Sequence, residues 1–188
     1  MTQKNDIEKS LEVLIKGGVI LYPTDTVWGI GCDACNSAAV DRIYTIKQRN
    51  DVKTLLVLVD GQEMLSDYVE EIPDIALKLM DEAVSPLTII YPKAKNLPGN
   101  LVADDGSIGI RIVNDPFCRQ VIRTFGKPIV STSANISGAH TPSTFGEISG
   151  DIKAVMDYIV VWRQDDRKPA TASTIVQIKN DGSCLKLR

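Results

Sequence analysis

The sequence predicts an α/β fold: a single domain in which helices flank one twisted mixed sheet. Of its 188 residues, 44% are hydrophobic, which is enough for one substantial core. Only 5% are aromatic, and an interior supplied mainly by Val, Ile and Leu is typical of strand-rich and α/β proteins. Helical and strand patterns follow one another without strict alternation, so we expect a mixed sheet and not a doubly wound parallel one.

The first helix is expected after a capping-box-like start formed by Asn5 and Glu8. Apolar residues then recur at helical spacing until the glycine pair at 17–18 ends the helix. The short apolar segment 19–22 follows as a strand, and a second strand is expected over 27–31.

A second helix is expected from residue 36 or 37 to about 47, with Val40 and Ile43 on its buried face. Segment 54–59 is a continuous apolar run between polar residues, which is typical of a strand covered on both faces. Pro73 can start the next helix because its missing N–H is not needed in the first turn.

The remaining elements are mostly strands. Segment 87–91 is apolar, 93–106 is a polar loop, and 107–113 alternates cleanly between isoleucine and other residues. We further expect helices over 115–125 and 145–155, and strands over 128–133, 158–162, 173–178 and 184–188.

The charge balance and the N-terminus exclude some classes of protein. With 21 basic and 24 acidic residues the net charge is −3, whereas non-specific nucleic-acid binders are usually basic. The first 18 residues carry scattered charges, unlike a signal peptide, and no apolar run approaches the roughly 20 residues of a membrane span. We therefore expect a cytoplasmic protein with no membrane partner.

The cysteines do not indicate a zinc site. Cys32 and Cys35 form a single CxxC, the other two are Cys118 and Cys184, and His140 is the only histidine. We expect reduced thiols and no zinc. The sequence contains neither a P-loop nor a strand-associated GxGxxG. A serine–histidine–acid triad on His140 stays open, although no GxSxG elbow supports it.

Two segments combine polar groups that could bind a ligand. The loop 22–29 places two threonine hydroxyls and Asp25 between strands, either as an ordinary turn or as a site for a small polar substrate. Lys47, Arg49 and Lys53 cluster at a helix end, either as a solvated face favoured by the helix dipole or as a clamp for a polyanion such as a triphosphate.

Two further candidates lie in strands. Arg111 stands opposite the isoleucines of its strand, so it faces either solvent or a buried anion. The strand before 131–138 ends in hydroxyls and an amide, from Ser131, Ser133 and Asn135, which form either a hydrogen-bonded turn or a phosphate cradle without a Walker loop.

Taken in order, these segments resemble the YrdC-like family of threonylcarbamoyl-AMP synthases. The segments that carry the resemblance are PTDTVWGIGCDA (23–34), KQR (47–49), SPLTII (85–90), IGIRI (108–112), STSANISG (131–138) and STIV (173–176). They occur in the family's order with compatible spacing. The resemblance implies the short, single-domain form over residues 1–188, with a large, positively lined central cavity.

The resemblance also implies roles for individual residues. Lys47 and Arg49 would be catalytic and would meet the phosphates of ATP. Thr24, Arg111, Ser173 and Thr174 would line the substrate site, with Thr24 holding the threonine. Ser131, Ser133, Asn135 and Arg188 would bind the nucleotide.

The implied reaction condenses L-threonine, bicarbonate and ATP into threonylcarbamoyl-AMP, which is used to modify the adenosine beside the anticodon of certain tRNAs. Threonine and bicarbonate give an N-carboxylate that attacks the α-phosphorus and expels pyrophosphate. An anionic nucleophile needs alignment and charge neutralisation more than a general base, so Lys47, Arg49, Arg111 and Mg²⁺ would suffice. The expected partners are these substrates and the tRNA threonylcarbamoyl transferase complex downstream, while weak RNA binding stays open.

Three departures from the family pattern stand out. Trp28 replaces the usual Tyr or Phe, Thr54 replaces a common proline, and 162–173 replaces a loop that often contains Asp-Gly-Gly. The alternatives are a YciO-like paralogue of altered activity and a non-catalytic RNA-binding module in RNA maturation. Retention of KQR and STSAN argues against the first, and the net charge of −3 argues against the second.

Overall fold

The computed structural model describes residues 2–48, 55–167 and 170–188. The helices of these parts are α1 (Gln3–Ile15), α2 (Ser37–Ile46), α3 (Gln62–Ser66), α4 (Asp74–Glu82), α5 (Pro116–Phe125) and α6 (Gly150–Ala154). The strands are β1 (Ile20–Tyr22), β2 (Gly29–Gly31), β3 (Leu56–Val59), β4 (Leu87–Tyr91), β5 (Ile108–Ile112), β6 (Ile129–Ser133), β7 (Tyr158–Ile159), β8 (Thr174–Ile178) and β9 (Cys184–Lys186).

All strands of the described parts join one sheet in the order β7-β1-β2-β6-β3-β5-β4-β8-β9. The pairs β1–β7, β3–β5 and β4–β8 are parallel, and the remaining neighbours are antiparallel. The prediction of a mixed sheet flanked by helices is therefore confirmed. None of the helices described is both long and apolar enough to cross a membrane.

The register places polar residues of neighbouring strands on one face of the sheet. Leu56 of β3 pairs with Ser131 of β6 on one side and with Gly109 of β5 on the other. Side chains two residues apart share a face, so Ser133 and Arg111 lie on the same face as these three. The isoleucines of β5 point the opposite way, and Ile108 and Ile110 are buried. This polar face of the sheet forms a wall of a cleft.

Helix α5 shows how local sequence fixes an element. Its N-cap Asp115 accepts a hydrogen bond from the Cys118 N–H, Pro116 occupies the first turn, and Gly126 ends the helix in the left-handed region at φ 72°. One face is apolar and packs against α1. The predicted helix over 115–125 is thereby confirmed.

The predicted start of α1 was wrong. The helix begins at Gln3, because the Thr2 side chain accepts from the Asn5 N–H and so provides the N-cap ahead of the expected capping box. Within the helix Asp6 is buried, and its carboxylate accepts hydrogen bonds from the Tyr158 hydroxyl and from the Trp162 N–H.

Two further elements differ from expectation. The predicted helix over 145–155 is a 3₁₀ turn at Phe145–Glu147 followed by α6, because Ile148 is extended and buried and Ser149 caps a new helix through the Ile152 N–H. The predicted strand over 158–162 ends at Ile159, since the Val161 N–H turns to the Asp6 carboxylate. Helix α3 was not predicted, and residue 54 lies outside the described residues.

Candidate functional site

A cleft of about 710 Å³ lies against the polar face of the sheet. Of the residues predicted for the site, those lining the cleft are Lys47, Arg111, Ser131, Ser133, Asn135, Ser173 and Arg188. Among the described residues Thr24 and Thr174 do not line it, and Arg49 and Lys53 lie outside the described residues. The cleft thus brings together side chains from five separate parts of the chain.

Lys47 joins the end of α2 to the loop that follows β6. It is buried, and its ammonium donates to the Ser133 carbonyl at 2.6 Å and to the Asn135 carbonyl at 2.8 Å. The Lys47 carbonyl in turn accepts from the Ser137 N–H at 3.0 Å. Gln48 follows with a left-handed φ of 49° and lines the cleft. Lys47 therefore holds the backbone of the 131–138 segment against α2.

The side chain of Asn135 closes the same loop. Its Nδ2 donates to the carbonyls of Ile136 at 3.0 Å and Ala139 at 2.8 Å. Its Oδ1 is buried and has no hydrogen-bond partner within the described parts of the chain. Asparagine side chains commonly hydrogen-bond the backbone of their own loop, and here that loop also faces the cleft.

Arg111 carries a buried charge. Among the described residues its counter-ion is Asp25, in the loop between β1 and β2. Its side chain is 3% exposed, and Nη2 lies 3.0 Å from Oδ1 of Asp25. The other oxygen of Asp25 accepts from the Asn114 N–H at 3.1 Å, just beyond the end of β5. Nε of Arg111 is buried without a partner within 2–48, 55–167 or 170–188. The pair locks the β1–β2 loop to β5 beside the cleft.

Arg188 brings a second guanidinium to the cleft. Nε donates to the Ser173 carbonyl at 2.8 Å, and the Ser173 hydroxyl lies 2.8 Å from that of Thr88. Burial, and next the positive charge of Arg111, lower the pKa of Arg188. Two like charges held near each other in this way favour an anionic ligand, because an anion between them would offset their repulsion.

The threonines of the β1–β2 loop have different surroundings. The Thr24 hydroxyl is buried, accepts from the Thr26 N–H at 2.9 Å and donates to the Val27 carbonyl at 2.8 Å. Thr26, whose hydroxyl lies 2.9 Å from that of Thr24, lines the cleft. Thr24 thus organises the loop, and its contact with threonine stays a prediction.

Trp28 stood out in the sequence only as a departure from the family pattern, and the aromatic pair that it forms in the wall of the cleft was not predicted. Trp28 lines the cleft and packs against Phe145 with ring centroids 4.8 Å apart, and the Lys153 ammonium lies 4.4 Å from the Phe145 centroid. The position of Trp28 in the loop between two apolar strands was the available signal. Its partner on a distant 3₁₀ turn could not be read from spacing.

A family comparison identifies the relatives of this chain. The model of the Sua5/YciO/YrdC family, which carries the description "Telomere recombination", matches residues 12–188. The chain belongs to this family.

Within the Sua5/YciO/YrdC family, similarity extends to curated proteins and to solved structures. The threonylcarbamoyl-AMP synthase of Pseudoalteromonas translucida (strain TAC 125) is 36% identical over 163 residues, which cover 85% of this chain and 87% of that protein. E. coli YciO is 27% identical with a TM-score of 0.85, over 100% of this chain and 89% of that one. A variant of P. abyssi Sua5 is 25% identical with a TM-score of 0.86, over 97% of this chain.

The chain spans about half the length of P. abyssi Sua5, since the match covers 52% of that chain. It covers most of the P. translucida synthase and of E. coli YciO. The resemblance predicted from the sequence motifs is confirmed by these matches.

The described part of the chain offers no protein-held metal centre. No group of three or more His, Cys, Asp or Glu residues within it could hold an ion, and the described lining of the cleft contains neither Asp nor Glu. These residues do not fit a protein-bound Mg²⁺, so an Mg²⁺ accompanying ATP would be held by phosphate oxygens and water. Burial raises the pKa of Cys32 and of Cys35, which disfavours the thiolates that zinc or redox chemistry needs.

Proposed function

We propose that this protein is an L-threonylcarbamoyladenylate synthase, a nucleotidyltransferase that uses L-threonine, bicarbonate and ATP. One observation carries the proposal. The guanidinium groups of Arg111 and Arg188 line a cleft of about 710 Å³ together with the hydroxyl-rich end of β6. The 36% identity to the P. translucida synthase supports the same activity.

The reaction has two balanced steps. The threonine ammonium first loses a proton, and the neutral amine then adds to the carbon of bicarbonate as the C–OH bond breaks and water leaves, which gives an N-carboxylate. A carboxylate oxygen then attacks the α-phosphorus of ATP, the bond to the β-phosphate oxygen breaks, and pyrophosphate leaves with its electron pair. The nucleophile is already anionic, so the site mainly has to align the reactants and stabilise negative charge.

The residues of the cleft suit those tasks. The loop held by Lys47 presents the hydroxyls of Ser131 and Ser133 and the backbone around Asn135 to the phosphates. Arg111 and Arg188 would neutralise the charge that develops on the leaving pyrophosphate. We expect Arg49 to share this charge neutralisation, and this expectation rests on the sequence motif alone.

The amino acid would occupy the end of the cleft that the β1–β2 loop borders. Thr26 and Trp28 line that end, and Ser173, which immediately precedes β8, lines the same cleft. A neutral hydroxyl and an aromatic wall suit the side chain of threonine, whose hydroxyl needs a partner and whose methyl group needs apolar contact. We propose that the enzyme acts in the cytoplasm and that its product passes to a tRNA threonylcarbamoyl transferase.

Pyrophosphate release measured with each substrate omitted in turn tests this function. We expect release only when ATP, L-threonine and bicarbonate are all present, and a product that carries both AMP and threonine by mass spectrometry. Replacing Arg111 by Met should reduce release by at least about a hundredfold, because its charge lies in the cleft. Release of pyrophosphate without threonine, or only with another amino acid, would contradict the proposal.

The similarity to E. coli YciO supports a second candidate, a YciO-like paralogue of altered activity. The same assay separates the two. ATP binding that is retained, with no release of pyrophosphate under any combination of substrates, would favour the YciO-like function.

A further inference from the structure

Arg163 connects the segment after β7 to the β1–β2 loop. Its Nη1 donates to the Asp115 carboxylate at 2.8 Å and to the Thr24 carbonyl at 3.3 Å. Its Nε donates to the Asp166 carboxylate at 2.6 Å. The guanidinium is about two-thirds buried, so it is a fixed cross-link between three parts of the chain.

The backbone of Arg163 indicates that the side chain is needed there. The residue has φ 67°, in the left-handed region that glycine adopts freely and that other L-residues rarely adopt. Strained positions of this kind persist when the surrounding contacts hold them, and they cluster at functional sites. The neighbouring backbone is held independently, because the Asp6 carboxylate accepts from the N–H groups of Val161 and Trp162.

The contact with Thr24 leads directly to the cleft. The Thr24 hydroxyl accepts from the Thr26 N–H and lies against the Thr26 hydroxyl, and Thr26 lines the cleft. Between them Asp25 pairs with Arg111. A displacement of the Thr24 carbonyl would therefore move the hydroxyl of Thr26, whereas the Asn114 N–H holds Asp25 at the end of β5.

Asp115 fixes the other side of this connection. One of its carboxylate oxygens caps α5 through the Cys118 N–H, and the other accepts from Arg163. The Cys118 thiol donates to the Pro23 carbonyl at 3.2 Å, immediately before Thr24. The start of α5 is thus the rigid support against which Arg163 holds the loop.

We propose that Arg163 is a positioning residue that sets the β1–β2 loop for amino-acid binding and so contributes to selection of the amino acid. The inference rests on the proposed function, because it assigns the loop to the amino-acid end of the cleft. Arg163 does not line the cleft within the described parts of the chain, so it acts through Thr24 and Thr26. Neither the Lys47 ammonium nor the Arg188 guanidinium has a described hydrogen bond to Arg163.

The test uses two substitutions at this connection and one control. Arg163→Gly removes the side chain and also relieves the left-handed backbone, so its fold should not be weakened by strain. Asp115→Asn removes the charge that Arg163 meets while an amide oxygen still caps α5. Arg167→Gly is the matched control, since Arg167 is an exposed arginine of the same segment.

We expect both test variants to raise the KM for threonine by about tenfold, with kcat and the KM for ATP within about twofold of the unsubstituted enzyme. The ratio of turnover with threonine to turnover with serine should fall as well. The double variant should show the effect of one substitution and not the product of two, because both break one contact. An unchanged KM for threonine in Arg163→Gly, or an equal rise in the KM for ATP, would overturn the inference.

Hydrogen exchange separates this inference from the proposed function. Backbone amides of residues 24–28 should exchange faster in Arg163→Gly and Asp115→Asn than in the unsubstituted protein or Arg167→Gly, whatever the reaction is. Unchanged exchange in that loop would reject Arg163 as its support. Faster exchange in the two variants, together with turnover of the unsubstituted protein that needs no threonine, would reject the proposed function and leave the positioning role of Arg163 standing.

Discussion

Lys47 illustrates what a single residue's motif can and cannot predict. The family resemblance assigned it to the phosphates of ATP, whereas the cationic cluster at a helix end alone left a solvated face open. In the structure its ammonium contacts the carbonyls of Ser133 and Asn135 and lines the cleft. The position in the site was therefore predictable, whereas the direct partners were not, because they are backbone oxygens some ninety residues away in sequence.

Replacing Lys47 by Met should therefore affect stability as well as activity. Loss of the ammonium leaves two carbonyls without their donor, which should lower the free energy of unfolding by about 2 kcal/mol. Displacement of the 131–138 loop should reduce pyrophosphate release by at least about a hundredfold. Urea unfolding and the release assay measure the two effects, and Lys78→Met on the exposed face of α4 is the control. Normal unfolding of Lys47→Met would show that these contacts do not hold the loop.

At the scale of the element, alternation was a reliable guide, whereas the capping-box-like pattern at Asn5 misplaced the start of α1. The isoleucine pattern predicted β5, and α5 lies within the predicted range 115–125. Another failure occurred where a distant side chain takes over the backbone. The carboxylate of Asp6 ends β7 early through the Val161 N–H, and no local pattern reports a partner on α1.

Glycines in the sheet allow a prediction of the same scale. A Cβ on Gly31 would lie 2.6 Å from both the Tyr22 ring and the Val130 carbonyl, whereas on Gly109 it would meet only the flexible Leu56 side chain at 2.8 Å. Gly31→Ala should therefore lower the free energy of unfolding by about 3 kcal/mol and Gly109→Ala by about 1 kcal/mol. Denaturant unfolding of the two variants gives both values. Equal losses would mean that the β1–β2–β6 region can shift to admit a methyl group.

The attachment of β7 should depend on pH. Asp157 accepts hydrogen bonds from the Arg42 guanidinium and from the Val19 N–H, and the contact with Arg42 lowers the pKa of this carboxyl, with burial opposing the shift. A carboxyl with a lowered pKa in the folded state stabilises the fold above its unfolded pKa, near 4, and the effect disappears as pH falls through the folded value.

Asp157→Asn retains an oxygen for the Val19 N–H and removes the charge. The unsubstituted protein should consequently be more stable than this variant at pH 6, and the difference should shrink steadily below about pH 4. Thermal unfolding of both proteins from pH 6 to pH 3 measures it. A difference that is constant over this range would show that the Arg42 contact is screened and contributes no linkage.

At the scale of the whole molecule, the site depends on strand order. Ser131, Arg111 and Ser173 are far apart in sequence and share a cleft because β6, β3, β5, β4 and β8 are consecutive in the sheet. Composition alone could not distinguish a ligand-binding residue from an ordinary turn or a solvent-exposed face at these positions. The family resemblance predicted that these residues share one site. The hydrogen bonds within the loop of Thr24 and the cross-link made by Arg163 could be found only from the structure.

The two positive charges that line the cleft should make the stability of the folded state depend on bound anions. Arg188 and Arg111 both line the cleft, and burial, followed by the charge of Arg111, lowers the pKa of Arg188, so an anion that bridges them should bind and stabilise the folded state. Pyrophosphate, the expected leaving group, is the simplest such ligand. At about a hundred times its Kd it should add about 2.7 kcal/mol, equivalent to a rise in Tm of about 5–10 °C.

Arg188→Gln should weaken pyrophosphate binding by about tenfold, and so reduce the rise in Tm at the same ligand concentration by about half. Lys186→Gln, an exposed residue of the neighbouring strand β9, should keep the full rise and controls for general charge effects. Thermal unfolding at matched ionic strength measures all three proteins, because added salt alone would screen the two guanidinium groups. An undiminished rise in Arg188→Gln would mean that pyrophosphate binds elsewhere, and the cleft would then lack the anion site on which the synthase chemistry depends.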